Sequence, residues 1–164
     1  MDKKEKFITA LKANEASIYK IASVYTSDAE DRNDLVQEII YQLWKSFDTF
    51  SHKSSITTWI YRVAMNVAIY HLKTAKRKVQ TVTIDDQVLN LNEVEHADQE
   101  ARWHLLRHSI DQLNLLDKGI VILYLEDRSY EEIAEIIGIS SSNVGTKLSR
   151  IKEKLRQQIS KQVS

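Results

Sequence analysis

The segment SYEEIAEIIGISSSNVGTKLSRIKEKL, residues 129–155, predicts two helices joined by a tight turn. Ser129 and Glu132 have the spacing of a capping box, in which each side chain accepts a hydrogen bond from the other residue's backbone N–H. The first helix is therefore expected to begin directly after Ser129. Gly138 follows the last apolar residue of that helix, where a left-handed residue is commonly required and glycine adopts it without steric cost.

The two predicted helices differ in chemical character. The apolar stripe of the first comprises Ile133, Ala134 and Ile137, and that of the second comprises Val144, Leu148, Ile151 and Leu155. Ser140 or Ser141 is expected to cap the second helix. Its basic residues off the stripe are Lys147, Arg150, Lys152 and Lys154. An acidic helix, a glycine turn and a basic helix with a polar start are typical of a DNA-reading helix-turn-helix. A plain helical hairpin with a solvated basic face is the alternative.

Composition limits the classes of protein that remain. The chain has 164 residues, 43% of them hydrophobic and 28% charged, which suits one globular domain or two small ones. It contains no cysteine, so disulfides and thiolate chemistry are excluded. The absence of cysteine also suits a protein of a reducing compartment. With no proline and only three glycines, long helices are expected and the fold class is all-α. The longest apolar run, 120–125, is too short for a bilayer span, and no secretion signal is recognisable, so we expect a cytoplasmic protein without membrane insertion.

The net charge of zero hides an uneven distribution. Residues 79–101 contain six acidic residues and no lysine or arginine, whereas residues 144–164 contain six basic residues and one acidic residue. A second basic cluster comprises Lys73, Lys76, Arg77 and Lys78. Because phosphate responds to local charge, two basic segments remain candidates for nucleic-acid binding.

The remaining periodicity predicts two helical domains. In residues 1–78 we expect a short helical turn at 7–11 and a helix at 15–24. A second helix should begin at a cap formed by Asp31 or Asn33, and a third should span 57–73. A polar loop at 48–55 should separate the second and third helices. The third of these helices should bury Ile60, Val63, Ala64, Val67 and Ala68. Residues 79–96 are acidic and without a defensible period, and we interpret them as a linker. Residues 97–164 should form helices at 97–113 and 118–126 before the helix-turn-helix.

Few side chains suggest chemistry beyond this. Glu100, His104 and His108 lie along one helical flank, but a solvated helix explains them better than a metal site, because no second cluster completes the ligand shell. We find no phosphate loop, nucleophile triad or paired carboxylates, so neither a cofactor nor an enzyme is indicated. One flank of the third helix is different, since it combines an aromatic ring, two bases and an amide, which suits unpaired bases and their phosphates. Those residues are Trp59, Arg62, Asn66 and Lys73. The equally weighted alternative is that Trp59 and Tyr61 are core or boundary residues and that Lys76 to Lys78 form a solvated helix end.

Three segments in order resemble a known family. Asp34-Leu35-Val36-Gln37-Glu38, followed by Leu43-Trp44, resembles the polymerase-binding helix of bacterial sigma factors. The segment TWIYRVAMN, residues 58–66, resembles their promoter-melting helix, and residues 129–155 resemble their promoter-reading helix-turn-helix. The chain is most similar to the extracytoplasmic-function (ECF) group, which keeps only the second and fourth sigma regions. The resemblance implies region two at 1–78, a linker at 79–96 and region four at 97–164.

The resemblance also implies partners and site residues. Contacts to core RNA polymerase would come from Asp34, Leu35, Gln37 and Glu38. A loop that captures a flipped base of the minus-ten promoter element would include Phe50, Ser51, His52 and Lys53. Three residues would lie beside the opening strands: Trp59, Arg62 and Asn66. Three basic residues would bind phosphate: Lys73, Lys76 and Arg77. The minus-thirty-five element would be read by Ser141, Asn143, Thr146, Lys147, Ser149 and Arg150. An anti-sigma factor is expected as a regulator, by analogy with the family.

The chain departs from the family pattern at three positions. Gly145 stands where many relatives carry Lys or Arg, so a DNA contact is expected to be lost there. Asn114 replaces the proline usual before the penultimate helix, and Gly119 lies inside that helix, so the helix boundaries are open. A stand-alone helix-turn-helix regulator, which would bind a palindromic duplex without polymerase, is the alternative function. An interaction module that binds no DNA is a third.

Overall fold

The computed structural model of the chain describes residues 2–78 and 97–163. Every regular element within these two ranges is helical, and the chain divides into two compact units, Met1–Ile84 and Asp85–Ser164. The expected all-α fold with two helical units is therefore confirmed. The segment 79–96, predicted as a linker, lies outside the described residues. Within the described ranges, no helix combines the length and apolar content that crossing a bilayer requires.

The first unit contains helices α1 (Lys3–Val24), α2 (Ala29–Ser46) and α3 (Ile56–Lys78), with a short 3-10 turn, Phe47–Thr49, after α2. The expectation of a separate turn at 7–11 was wrong, because α1 is continuous. Asn14, which interrupts the apolar run, is buried and donates a hydrogen bond from Nδ2 to the Ala10 carbonyl at 2.9 Å. The side-chain amide of Asn14 thus has a hydrogen-bond partner within α1, and the helix continues past this residue.

Helix α2 begins earlier than its sequence suggested. Asp28, rather than Asp31 or Asn33, is the N-cap, and its Oδ1 accepts from the Asp31 backbone N–H at 2.7 Å. The Asp31 carboxylate is used elsewhere, since its Oδ1 lies 2.8 Å from Nε2 of His71 on α3. Asp31 therefore contacts His71 of α3 and does not cap α2, the role that its position in the sequence had suggested.

The core of the first unit is formed where the three helices meet. Fully buried side chains include Ile18 and Ile21 of α1 and Leu35, Ile39 and Leu43 of α2. On α3 the buried set is Ile60, Tyr61, Ala64, Met65 and Ala68. The stripe expected on α3 was partly wrong, because Val63 and Val67 are only half-buried. Tyr61 can be buried because its hydroxyl donates to Oγ of Ser17 at 2.8 Å.

The second unit contains α4 (Ala97–Asp111), α5 (Leu115–Leu125), α6 (Tyr130–Ile137) and α7 (Ser141–Val163). Helix α4 ends two residues before the expected Leu113, because Asn114 caps the next helix and accepts from the Asp117 backbone N–H at 2.9 Å. The expected short buried helix near 118–126 is confirmed as α5. Asn114 thus supplies a start signal for α5 in its own right.

Helices α6 and α7 form the helix-turn-helix predicted from residues 129–155. Both capping-box hydrogen bonds are present: Glu132 N–H to Ser129 Oγ at 3.1 Å and Ser129 N–H to Glu132 Oε1 at 3.3 Å. Gly138 ends α6 with φ +89°, as expected. Ser140, one of the two expected caps, precedes α7 and accepts from the Asn143 N–H at 3.1 Å.

The apolar stripes of the motif pack inward. On α7, Val144, Leu148 and Ile151 are buried and Leu155 is half-buried. The stripe expected on α6 was partly wrong. Ile133 and Ile136 are buried, whereas Ala134 and Ile137 are half-buried. The choice of Ile136 follows from the side on which α5 and α7 pack, which the spacing within α6 does not specify.

Candidate functional site

A connected cluster of aromatic rings lies at one end of the first unit. Trp59, at the start of α3, packs against Phe50 with ring centroids 5.2 Å apart and against Phe47 at 6.1 Å. Phe7 of α1 joins Phe47 at 5.4 Å and Trp44 of α2 at 5.1 Å. The cluster therefore ties the segment between α2 and α3 to all three helices.

The segment between α2 and α3 presents the residues expected to capture a base. Phe50 is half-buried between the rings of Trp59 and His52, the latter at 4.5 Å. Ser51, His52 and Lys53 are exposed. His52 has φ +60°, a left-handed conformation that is uncommon for a residue other than glycine. The segment thus turns sharply at His52 and keeps aromatic and basic side chains at its surface.

The flank of α3 predicted from the spacing is partly open to solvent. Asn66 and Lys73 are exposed, whereas Trp59 and Arg62 are half-buried. Trp59 is therefore a boundary residue with one part in the aromatic cluster. The side chains of Lys76 and Arg77 lie outside those described, although both residues belong to α3.

The polymerase-contact residues expected on α2 divide by burial. Asp34, Gln37 and Glu38 are exposed. Leu35 has no exposed surface and lies in the core with Ile39, so a direct contact through its side chain is excluded by the fold. Leu35 instead fixes the orientation of α2 by packing, and the acidic and amide groups form the accessible part of the set.

The residues expected to read the minus-thirty-five element all lie in the first three turns of α7. Ser141, Asn143, Thr146, Ser149 and Arg150 are exposed, and Lys147 is half-buried. The Thr146 hydroxyl donates to the Ser142 carbonyl at 3.1 Å, which leaves its oxygen available as an acceptor. Because the buried stripe faces the other way, the exposed side of α7 is polar and basic.

A tyrosine and a glycine shape the edge of this surface. An added Cβ on Gly145 would lie 3.5 Å from Cε2 of Tyr130, which is an ordinary van der Waals contact. Farther along α7, Nζ of Lys152 lies 4.3 Å from the ring centroid of Tyr124. A hydrogen bond with Tyr124 raises the pKa of the Lys152 ammonium above its ordinary value.

Several contributors to these surfaces were missed in the sequence. Phe47, Lys3 and Lys6 line a cleft beside Phe50 and His52. No local pattern links the start of α1 to a loop more than forty residues away, so no signal pointed to them. Within the part of the chain that the structure describes, no group of three His, Cys, Asp or Glu residues is placed to hold a metal ion.

Comparisons with known proteins agree with the geometry. A family model described as Sigma-70 region 2 matches residues 10–78, and one described as Sigma-70, region 4 matches residues 103–155. RNA polymerase sigma factor SigV of Bacillus subtilis is 29% identical over 160 residues, covering 94% of this chain and 92% of the relative. The ECF RNA polymerase sigma-E factor of Haemophilus influenzae is 28% identical over 154 residues, covering 85% and 82%.

Two solved structures share the fold. The sigma factor RpoE from Bartonella quintana, solved with the anti-sigma factor NepR, matches with a TM-score of 0.68 at 19% identity and covers 96% of each chain. CnrH, solved with the cytosolic domain of CnrY, matches with a TM-score of 0.68 at 16% identity and covers 96% of this chain and 89% of that one. At these identities the likeness concerns the fold.

Fold and surfaces together define a two-unit, helix-turn-helix DNA-binding protein. With two consecutive sigma regions matched over most of its length, the chain belongs to the sigma-70 family, in its extracytoplasmic-function group. The family consists of non-catalytic transcription initiation factors. The protein is accordingly a sigma factor, with roles in promoter recognition and initiation together with core RNA polymerase.

Proposed function

We propose that the two units divide promoter recognition between them, with residues 1–78 acting on the minus-ten element and residues 97–164 on the minus-thirty-five element. Residues 79–96 would connect them. The observation that supports this division most strongly is that each unit has its own nucleic-acid surface. The first has aromatic and basic side chains around an exposed loop, and the second has a polar helix-turn-helix face.

Docking on core polymerase is assigned to the exposed acidic face of α2. Asp34 and Glu38 are one helical turn apart, with Gln37 between them, and all three are exposed. Behind them Leu35 and Ile39 are buried, so the face is held on a rigid element. Such a face suits a basic partner surface, where charge complementarity speeds association and rejects wrong partners.

Strand opening is assigned to the loop and to the start of α3. Phe50 and Trp59 pack against each other in a tilted arrangement beside exposed Ser51, His52 and Lys53, and aromatic faces bind unpaired bases without requiring a partner strand. Asn66 and Lys73 continue along α3 on the exposed side. Lys76 and Arg77 would extend this side with phosphate contacts.

Duplex reading is assigned to α7, whose exposed Asn143, Thr146, Ser149 and Arg150 offer donors and acceptors to base edges and phosphates. Ser141 and Lys147 would add contacts at the edges of the same face. Neither basic patch of the chain is large and affinity for DNA falls steeply with salt, so the free protein is expected to bind duplex DNA weakly.

The remaining expectations follow from this role. The protein would work in the cytoplasm, where polymerase and promoter DNA are found, and would catalyse no bond change itself. An anti-sigma factor would regulate it, as the NepR complex of the Bartonella sigma factor illustrates for a protein of the same fold. A stand-alone regulator is the competing function, and it would bind a palindromic duplex tightly without polymerase.

Co-elution with core RNA polymerase tests the docking surface. Asp34→Arg reverses an exposed charge in the proposed contact, and Glu15→Arg makes the same change at an exposed position of α1 outside it. We expect Asp34→Arg to weaken core binding at least about tenfold, which corresponds to about 1.4 kcal/mol, and Glu15→Arg to bind like the wild type. Equal binding by all three proteins would contradict the assignment of α2, and failure of the wild type to bind core would contradict the proposed function.

A further inference from the structure

A cleft of about 670 Å³ lies between the start of α1 and the segment from the 3-10 turn to α3. Its walls come from two parts of the chain, Lys3 and Lys6 on one side and residues between Phe47 and Ile56 on the other. This volume falls within the range of sites that hold small organic ligands. The proposed function gives a role to the wall formed by the loop between α2 and α3, and it gives none to α1.

The charges around the cleft are only partly compensated. Nζ of Lys3 pairs with Oδ2 of Asp48 at 2.8 Å and lies 4.5 Å from the ring centroid of Trp44. Lys3 therefore neutralises the carboxylate in the cleft wall and is held in place by two contacts. Lys6 is exposed and has no ion-pair partner among the described residues, so its ammonium leaves the cleft with one uncompensated positive charge.

The rest of the lining is aromatic and polar. The rings of Phe47, Phe50 and His52 face the cleft, together with Ser54 and Ser55. An ammonium beside aromatic rings combines the two groups that bind a nucleotide without reading a partner strand. The rings stack against the base, and the cation pairs with the phosphate through a charge-assisted hydrogen bond.

We propose that Lys6 binds a backbone phosphate of an unpaired nucleotide held in this cleft, so that α1 is part of the surface that binds the opened promoter strand. Lys3 acts as a positioning residue, since it keeps Asp48 from repelling the same phosphate. The inference rests on the proposed role of the 48–55 loop. It adds a residue from a helix that otherwise only packs against α2 and α3.

The test measures how binding of the opened strand depends on salt. Holoenzyme is assembled from core polymerase and the full chain, and the probe is a single-stranded oligonucleotide covering the melted segment of a promoter selected by run-off transcription. Each phosphate contact to a single strand contributes a slope of about −0.7 to log K against log salt. Lys6→Ala is compared with Lys12→Ala, which removes an exposed lysine of the same helix that does not line the cleft.

We expect Lys6→Ala to reduce the magnitude of the slope by about 0.7, which corresponds to about fivefold weaker binding at 0.1 M relative to a 1 M reference. Lys6→Arg should restore the slope, and Lys12→Ala should match the wild type. If Lys6→Ala and Lys12→Ala have the same slope while the wild type binds, the role of Lys6 is overturned and the proposed function stands. If the wild-type holoenzyme does not bind the strand, both are overturned.

Discussion

Two glycines of the helix-turn-helix should respond to the same substitution with opposite signs. Gly138 has φ +89°, and no atom lies within 4 Å of an added Cβ, so Gly138→Ala introduces backbone strain without a clash. The left-handed conformation costs an L-residue about 1–2 kcal/mol. Gly145 lies inside α7, where an added Cβ would make ordinary contact with Tyr130 at 3.5 Å. Gly145→Ala should therefore stabilise the unit by about 0.5–1 kcal/mol, because alanine loses less backbone entropy.

Hydrogen exchange of the full-length chain, followed by mass spectrometry, measures both effects locally. When exchange reports the opening equilibrium, 1 kcal/mol changes its rate about fivefold. Peptides from α6 and α7 should exchange about five to thirty times faster in Gly138→Ala and about two to five times slower in Gly145→Ala. Peptides from α1, α2 and α3 belong to the other unit and serve as the internal control.

Two results would refute this reasoning. Unchanged exchange of α6 and α7 in Gly138→Ala would mean that the turn does not require a left-handed residue. Faster exchange in Gly145→Ala would mean that the ring of Tyr130 cannot accommodate even a methyl group, so that the glycine is kept for space. A change in the α1–α3 peptides would show that the effect is not local.

Two further substitutions test the first unit. Burial raises the pKa of the Tyr25 hydroxyl above its ordinary value of 10.0, so the folded state should lose about 1.4 kcal/mol per pH unit as the pH rises above 10. In the wild type the urea concentration at the unfolding midpoint should fall between pH 10 and 11, and in Tyr25→Phe it should fall less steeply. The same fall with pH in both proteins would contradict the burial argument. Trp59→Ala removes a ring packed against Phe50 and should impair open-complex formation more than closed-complex binding, as footprinting with a permanganate probe measures. Equal loss in both steps, with the thermal melting temperature unchanged, would exclude a role in melting.

The helix-turn-helix could be predicted almost completely because its signals are local. Ser129 and Glu132 form their capping box within four residues, and Gly138 ends α6 through its own backbone conformation. Such signals depend on spacing along one helix, which the sequence shows directly. The register of buried residues was less certain, since Ile136 rather than Ile137 is buried according to where the neighbouring helices pack.

The first unit shows what local spacing leaves out. Asp31 has the chemistry and position of a cap, but its carboxylate contacts His71, forty residues away, and Asp28 caps α2 instead. The resemblance to sigma factors implied a polymerase contact for Leu35, and only the fold shows that Leu35 is buried. The pairing of Lys3 with Asp48 joins residues 45 apart, and no periodicity in the sequence connects them.

Transcription by purified core RNA polymerase distinguishes a sigma factor from a stand-alone regulator. Core is incubated with and without the full chain on a pool of promoter fragments, and run-off transcripts are measured. We expect transcripts from a defined subset of fragments only when the chain is added, with Asp34→Arg lowering their yield and Glu15→Arg leaving it unchanged. Transcripts that are the same with and without the chain, while the chain binds a palindromic duplex on its own, would contradict a sigma factor and support a stand-alone regulator.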